Sequence, residues 1–214
     1  MSEVAPRRRI DIAQLPGQYP THRHKPEFWE ALGRAVATFG FLEETLGRAI
    51  FAITGGREAP EEEVEVALRE WLKTVEQGIS VPLVQRIEVY GKHLRQHPGR
   101  TIQNPEDLIA SLKEAAVLRN VICHGSWHSP DARGRSVPFF FNKSIEKFEI
   151  PIDVAYLKQL QRHVAELACE VIDTVTMMGF QFPGAADRQI GVEQGHGIGG
   201  DEDGSAGIGQ DRHP

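Results

Sequence analysis

No apolar run in this chain approaches the ~18 residues that a bilayer-crossing helix needs, so no transmembrane span and no membrane partner are expected. The first residues also lack the apolar core of a secretory signal. Cysteine is scarce. Cys123 and Cys169 fall in helical patterns rather than in a spaced framework, and they read as reduced core thiols of a cytoplasmic protein. A P-loop, a Cys-x-x-Cys pair and a His-Glu-x-x-His motif are missing, and no Gly-x-Gly-x-x-Gly opens a predicted helix. Nothing in the sequence therefore calls for a nucleotide cofactor, a redox dithiol or a resident metal.

Positive charge is also short. The net charge of −6 argues against strong, general nucleic-acid binding. The deficit is uneven, however: six acids and two bases from residue 183 onward carry four of those six charges, leaving −2 on residues 1–182. A local basic patch on the folded part stays open. At 214 residues, 40% hydrophobic and 25% charged, the chain suits one globular domain with tails.

What is present centres on the run from Asn104 to Trp127. Asn104 suits an N-cap, Pro105 the first helical position, and Glu106 and Asp107 the positive end of the helix dipole. Leu108, Leu112, Ala115 and Ile122 then fall on one face, and Gly125 reads as a C-terminal stop. Arg119 lies four residues after Ala115 and three before Ile122, near the centre of that apolar stripe. A guanidinium there is costly unless an anion or a hydrogen-bonded partner meets it. His124 is five residues on, about 140° further round. On that geometry one straight helix does not aim both side chains at the same atom, so either the helix unwinds at Gly125 or a second copy completes the site. The plainer alternative pairs Arg119 with a carboxylate on a neighbouring helix and leaves His124 as a C-terminal cap. Cys123 and His124 point ~100° apart on a helix, which disfavours a Cys-His nucleophile pair.

Arg119-Asn120-Val121-Ile122-Cys123-His124 resembles the Arg-polar-x(3-5)-His signature of the HEPN superfamily, small helical bundles found in prokaryotic toxins and RNA-cleaving defence proteins. The resemblance spans roughly residues 26–179. It implies a metal-independent endoribonuclease, in a toxin or antiphage role, that uses the RNA 2′-hydroxyl as nucleophile and leaves a 2′,3′-cyclic phosphate. It also implies a composite site at the cleft of a symmetric homodimer, and a cognate antitoxin or a nucleotidyltransferase as further partner. Arg119 would stabilise the phosphate and transition state, His124 would act as acid or base, and Asn120 would orient the phosphate or His124. His128, four residues beyond His124, is a weaker supporting candidate. The different-class alternative is a non-catalytic HEPN-like scaffold that binds a nucleotide or a partner.

The rest of the chain fits a mainly α fold, an antiparallel four- to five-helix bundle with a small β-hairpin before the last helix. Residues 1–25, with Arg7-Arg8-Arg9, lack periodicity and read as an extended arm, either solvated or clasping RNA or a partner chain. Residues 26–182 form the bundle. Its first helix runs from Pro26 to about Thr54, with Phe28, Leu32, Val36, Phe39, Leu46, Ile50 and Ile53 inward. Gly33, Gly40 and Gly47 recur on it as a face that a neighbouring helix could approach. Glu43 lies in its apolar sector, either reaching solvent at the stripe's edge or meeting Arg119 inside the bundle. A second helix opens at Pro60, with Val64, Leu68, Trp71 and Val75 inward. A third, capped by Ser80, turns Leu83, Ile87, Tyr90 and Leu94 inward; its His93 and His97 lack further ligand-type neighbours, which disfavours a metal site. Asp153 caps the last helix, striped by Leu157, Leu160, Val164, Leu167, Val171, Val175 and Met178 and stopped by Gly179.

Between the last two helices, about 126–150, Val137–Phe141 and Ile145–Ile150 read as short strands of a flap. Its Trp127, Arg133 and Arg135 suit single-stranded RNA, whose bases stack on aromatic and guanidinium planes. The alternative is that its phenylalanines cover the end of the bundle. Residues 183–214, glycine-rich and acidic without an aromatic ring, read as a disordered tail.

Overall fold

The computed structural model describes residues 9–55, 66, 69, 82–102 and 104–182. The helix expected from Pro60, the Ser80 cap, the triple-arginine cluster up to Arg8 and the tail from residue 183 lie outside this set, in whole or nearly so. Among the described residues are four α-helices: α1 (Pro26–Gly55), α2 (Leu83–Gln96), α3 (Pro105–His124) and α4 (Val154–Thr176). The described fold is thus mainly helical, and α1 and α3 fall on the bounds their punctuation predicts.

The long α1 is the common wall. It packs against α4 along much of its length and also meets α2 and α3, while α2 and α3 pack on each other. Its buried stripe is Phe28, Ala31, Leu32, Ala35, Phe39, Leu42, Leu46, Ala49, Ile50 and Ile53, a three- and four-residue rhythm that keeps one face apolar. Val36 was expected in that stripe but is exposed, and its inward place is taken by Ala35. Gly33 and Gly40 are likewise exposed, and a Cβ on either would meet nothing within 4 Å. Gly47, the third of that series, is buried, and a close helix approach also occurs at Gly91 of α2, where a Cβ would stand 2.8 Å from Ile109 Cδ1 of α3.

Leu83, Ile87, Tyr90 and Leu94 of α2 are all buried as their spacing predicts. The Tyr90 hydroxyl lies 2.8 Å from Thr174 Oγ1 of α4. Thr174 donates its own proton to the Val171 carbonyl at 2.7 Å, so Tyr90 is the donor in this pair. Burial pushes the Tyr90 phenol up to about 12. In α3 the apolar face is Leu108, Ile109, Leu112, Ala115, Ala116, Val121 and Ile122. Asn104 does not cap this helix through its side chain; its Nδ2 donates instead to Asp107 Oδ2 at 2.7 Å. Asp153 does cap α4, accepting from the Tyr156 amide at 2.8 Å, and Gly179 follows with φ of 84°, the left-handed value a glycine tolerates. The two cysteines are helical but exposed, not core thiols.

Ahead of α1 the described residues begin at Arg9. They make 3-10 turns at Ile12–Gln14 and Thr21–Arg23, and the second is docked. Trp29 Nε1 donates to the Thr21 carbonyl at 2.9 Å, and Arg23 Nη1 donates to Ser129 Oγ at 2.6 Å. His24 is buried at 8% exposure. It stacks on Phe28 with centroids 4.3 Å apart and meets the edges of Trp29 and Trp127. Its Nε2 has no partner. Burial holds the imidazole below its ordinary value, so the unfolded chain takes up a proton that the folded chain refuses. Stability contributed here is complete above about pH 6.5 and is lost as pH falls from there towards the depressed folded value. Thermal midpoints measured from pH 7.5 to 5 are expected to fall more steeply for the wild type than for His24→Phe, which has no proton to gain.

Between α3 and α4 the expected hairpin is replaced by three isolated antiparallel bridges, Ser126 with Phe139, Ser136 with Ile152 and Phe141 with Lys147. Pro130, Pro138 and Pro151 lack the amide hydrogens that a continuous ladder would need. Ile145, expected to open a strand, sits at φ of 64° inside a turn. Asn142 builds that turn, its Oδ1 accepting from the Ser144 and Glu146 amides at 2.9 Å each.

Candidate functional site

The C-terminal turn of α3 carries Arg119, Asn120, Cys123 and His124 to the surface while Val121 and Ile122 stay in the core. Arg119 is only half-buried, its side chain 30% exposed. It therefore leaves the apolar stripe at its margin rather than occupying its centre. Its Nε approaches Glu43 Oε1 of α1 at 3.3 Å, the pairing that Glu43's position on α1 suggests. Its Nη1 lies 3.4 Å from Asn120 Oδ1 and 3.4 Å from His124 Nε2. Both distances are long for hydrogen bonds and describe a loosely gathered cluster.

The last contact corrects the angular argument from the sequence. Arg119 and His124 diverge at their Cα atoms, yet the guanidinium reaches the imidazole within one chain and without unwinding of α3, which is helical through His124. A guanidinium only donates, so a hydrogen bond at this contact runs from Arg119 Nη1 to His124 Nε2. Among the described residues nothing accepts from Arg119 Nη2. Glu43 meets the guanidinium at Nε, and Asn120 and His124 meet it at Nη1.

Arg86 was not anticipated. From α2 its Nη1 donates to the Glu43 carbonyl at 2.8 Å, bracing the segment of α1 that carries the Glu43 carboxylate. The signal was in the sequence: Arg86 is three residues after Leu83 and four before Tyr90, on the inward face of its helix. Cys123 is exposed, but desolvation raises its thiol, opposed by the Arg119 charge and reinforced by that of Glu43. A raised thiol is a poorer source of the nucleophilic thiolate.

Gly125 stops α3 as its position predicts, with φ of −70° and ψ of 138° rather than left-handed angles. Its role is steric. A Cβ there would stand 2.5 Å from the Val121 carbonyl oxygen and 2.8 Å from Pro138 Cβ. The remaining candidates do not join the cluster. Trp127 is half-buried against Phe28, with centroids 4.9 Å apart, and serves the core. Arg135 is tied to Asp131, Nε to Oδ2 at 3.0 Å. The Arg135 amide foremost, then its guanidinium and the Arg133 amide, hold the Asp131 carboxyl below the usual range. Arg133 is exposed, with no ion pair to a described residue. The His128 ring rests on Phe139 and makes no hydrogen bond to Arg119 or His124. His97 is likewise engaged, its Nδ1 accepting from the Gly99 amide at 3.1 Å. Among the described residues, no three His, Cys, Asp or Glu side chains are grouped to hold a metal.

No protein-family model, curated protein or solved structure matches the chain. None of the helices, in the described residues, is long and apolar enough to cross a membrane.

Proposed function

We propose that this chain is a metal-independent endoribonuclease of HEPN type, built as an antiparallel helical bundle and acting in the cytoplasm as a toxin or antiphage effector. The observation that carries the reading is the gathering of Arg119, Asn120 and His124 at one exposed helix end, with Glu43 gripping the far edge of the guanidinium. A general base takes the proton of the RNA 2′-hydroxyl as O2′ bonds to phosphorus. The P–O5′ bond breaks, and a general acid protonates the departing O5′, leaving a 2′,3′-cyclic phosphate. His124 suits either proton role, and the guanidinium of Arg119 suits the crowded phosphorane. One motif imidazole per chain leaves the second proton role unfilled, and a two-fold homodimer supplies it. A cognate antitoxin or a nucleotidyltransferase would be a further partner.

Purified full chain is expected to cut single-stranded RNA in the presence of excess chelator and to leave cyclic ends. A 2′-deoxy nucleotide at the cut should block it. Chelator-sensitive cutting, or 3′-hydroxyl ends, would remove the mechanism. The net charge of −6 favours a second reading, a non-catalytic scaffold that binds a nucleotide or partner; it predicts no cutting under any of these conditions.

A further inference from the structure

Alternation along Val137–Phe141 sorts three consecutive phenylalanines onto two sides of the flap. Phe140 packs against the core, as does Phe148, whose amide donates to the Phe140 carbonyl at 3.0 Å. Phe139 and Phe141 face solvent at 50% and 43% exposure. They are not isolated. The Phe139 ring is parallel to the His128 ring within 8°, with centroids 5.9 Å apart, and Phe141 meets Phe139 edge-on at 5.2 Å. Pro138 of the same segment lies against Gly125 at the end of α3, and Phe140 packs on the core.

The place of this surface gives it meaning. Phe139 exchanges backbone hydrogen bonds with Ser126 at 2.8 and 3.0 Å, and Ser126 is two residues from His124. An extended chain rises ~3.3 Å per residue, so this bridge lies within about 7 Å of the motif histidine along the chain. Lys147 lies opposite Phe141 in their antiparallel bridge, and Lys143 is two residues beyond Phe141 in the chain; both are exposed, with no carboxylate paired to them among the described residues. An exposed aromatic face with an unpaired lysine beside it, close in the chain to a phosphate-type site, suits the recognition of an unpaired nucleotide.

We propose that the exposed Phe139 ring, backed by the parallel His128 ring and flanked edge-on by Phe141, is a stacking shelf for an unpaired base of single-stranded RNA bound at Arg119. The shelf rests on the RNA reading of the motif and adds a subsite to it. A base laid on the shelf fixes the strand's register at His124, and a duplex, whose bases are already stacked on each other, has none to offer.

The test uses full chain carrying His124→Ala, so that RNA stays intact, and a fluorescent single-stranded oligoribonucleotide. Alanine at Phe139 and Phe141 together is expected to weaken binding by roughly tenfold to a hundredfold, and Phe139→Tyr to retain it. An oligonucleotide of equal length with abasic sites should bind the unaltered shelf as weakly as the alanine variant does, an arm that needs no change to the protein. Equal affinity across these variants and probes would overturn the shelf, as would no binding at all. Sedimentation showing that the alanine variant falls from dimer to monomer would also overturn it, because the rings then belong to a contact between copies. The nuclease reading is scored separately: ring-dependent binding by a wild-type chain that never cuts sinks the nuclease and keeps the shelf, while cutting that ignores the rings does the reverse.

Discussion

Replacing His124 with alanine is expected to lower RNA cleavage by about 10²–10⁴-fold, the range for removing a positioned acid or base, with almost no change in stability. The side chain is exposed at the last turn of α3, and substitutions at such surface positions stay within about 0.5 kcal/mol. That separation is the diagnostic: a large catalytic loss with an unchanged melting curve assigns chemistry, whereas a parallel loss of both assigns architecture. Arg119→Ala should give a loss of similar order, since a donor aimed at developing phosphorane charge is worth about 10²–10³-fold. Arg119→Lys should not restore it, because an ammonium cannot hold Glu43 on one edge and a phosphate on another. The double variant Arg119→Ala with His124→Ala should be little worse than the worse single one, as groups acting as a unit are not additive. Measured kcat and KM decide the case. Rates within threefold of wild type for His124→Ala would leave the imidazole a bystander.

Much of this arrangement was legible because local rules agreed with the packing. Pro26, Pro105 and Asp153 start helices where backbone chemistry wants them, and the three- and four-residue apolar rhythm of α2, α3 and α4 places the same residues inside that the fold buries. The Glu43–Arg119 pair was readable for the same reason, a carboxylate and a guanidinium intruding on apolar sectors of two helices. The angular argument about His124 failed because it treated side chains as short spokes. Arginine is long enough to fold back across the helix end, so a Cα separation of about 140° did not forbid a 3.4 Å contact. Val36 and the exposed glycines of α1 show a second limit: sequence gives the face a residue belongs to, not which of two adjacent positions the neighbouring helix covers. The flap shows a third. Its pairing is set by prolines, an Asn142 turn and Pro138 lodged against Gly125, and none of these carries a strand period.

Gly125→Ala is expected to be among the most damaging small substitutions, although it adds a single methyl to a residue with ordinary backbone angles. That methyl would be pressed between the Val121 carbonyl at 2.5 Å and Pro138 at 2.8 Å. The first neighbour is backbone and already accepts the Gly125 amide at 2.8 Å, so it moves only if the last turn of α3 moves. The second is a buried ring next to Phe139, which is bonded to Ser126. Relief therefore displaces either the turn that presents Arg119 and His124 or the flap that carries the aromatic rings. Overpacking of this kind costs about 1–3 kcal/mol, and a chain of this size loses ~2–4 °C in melting temperature per kcal/mol. Gly33→Ala is the opposite case, an open helical site where alanine should add up to about 1 kcal/mol. Urea midpoints for the two variants should therefore move in opposite directions. In Gly125→Ala alone, cleavage should fall even at temperatures where the protein is fully folded, because the imidazole is carried on the displaced turn. A Gly125→Ala chain as stable and as active as the wild type would mean that α3 and the flap do not meet as closely as Gly125 and Pro138 place them.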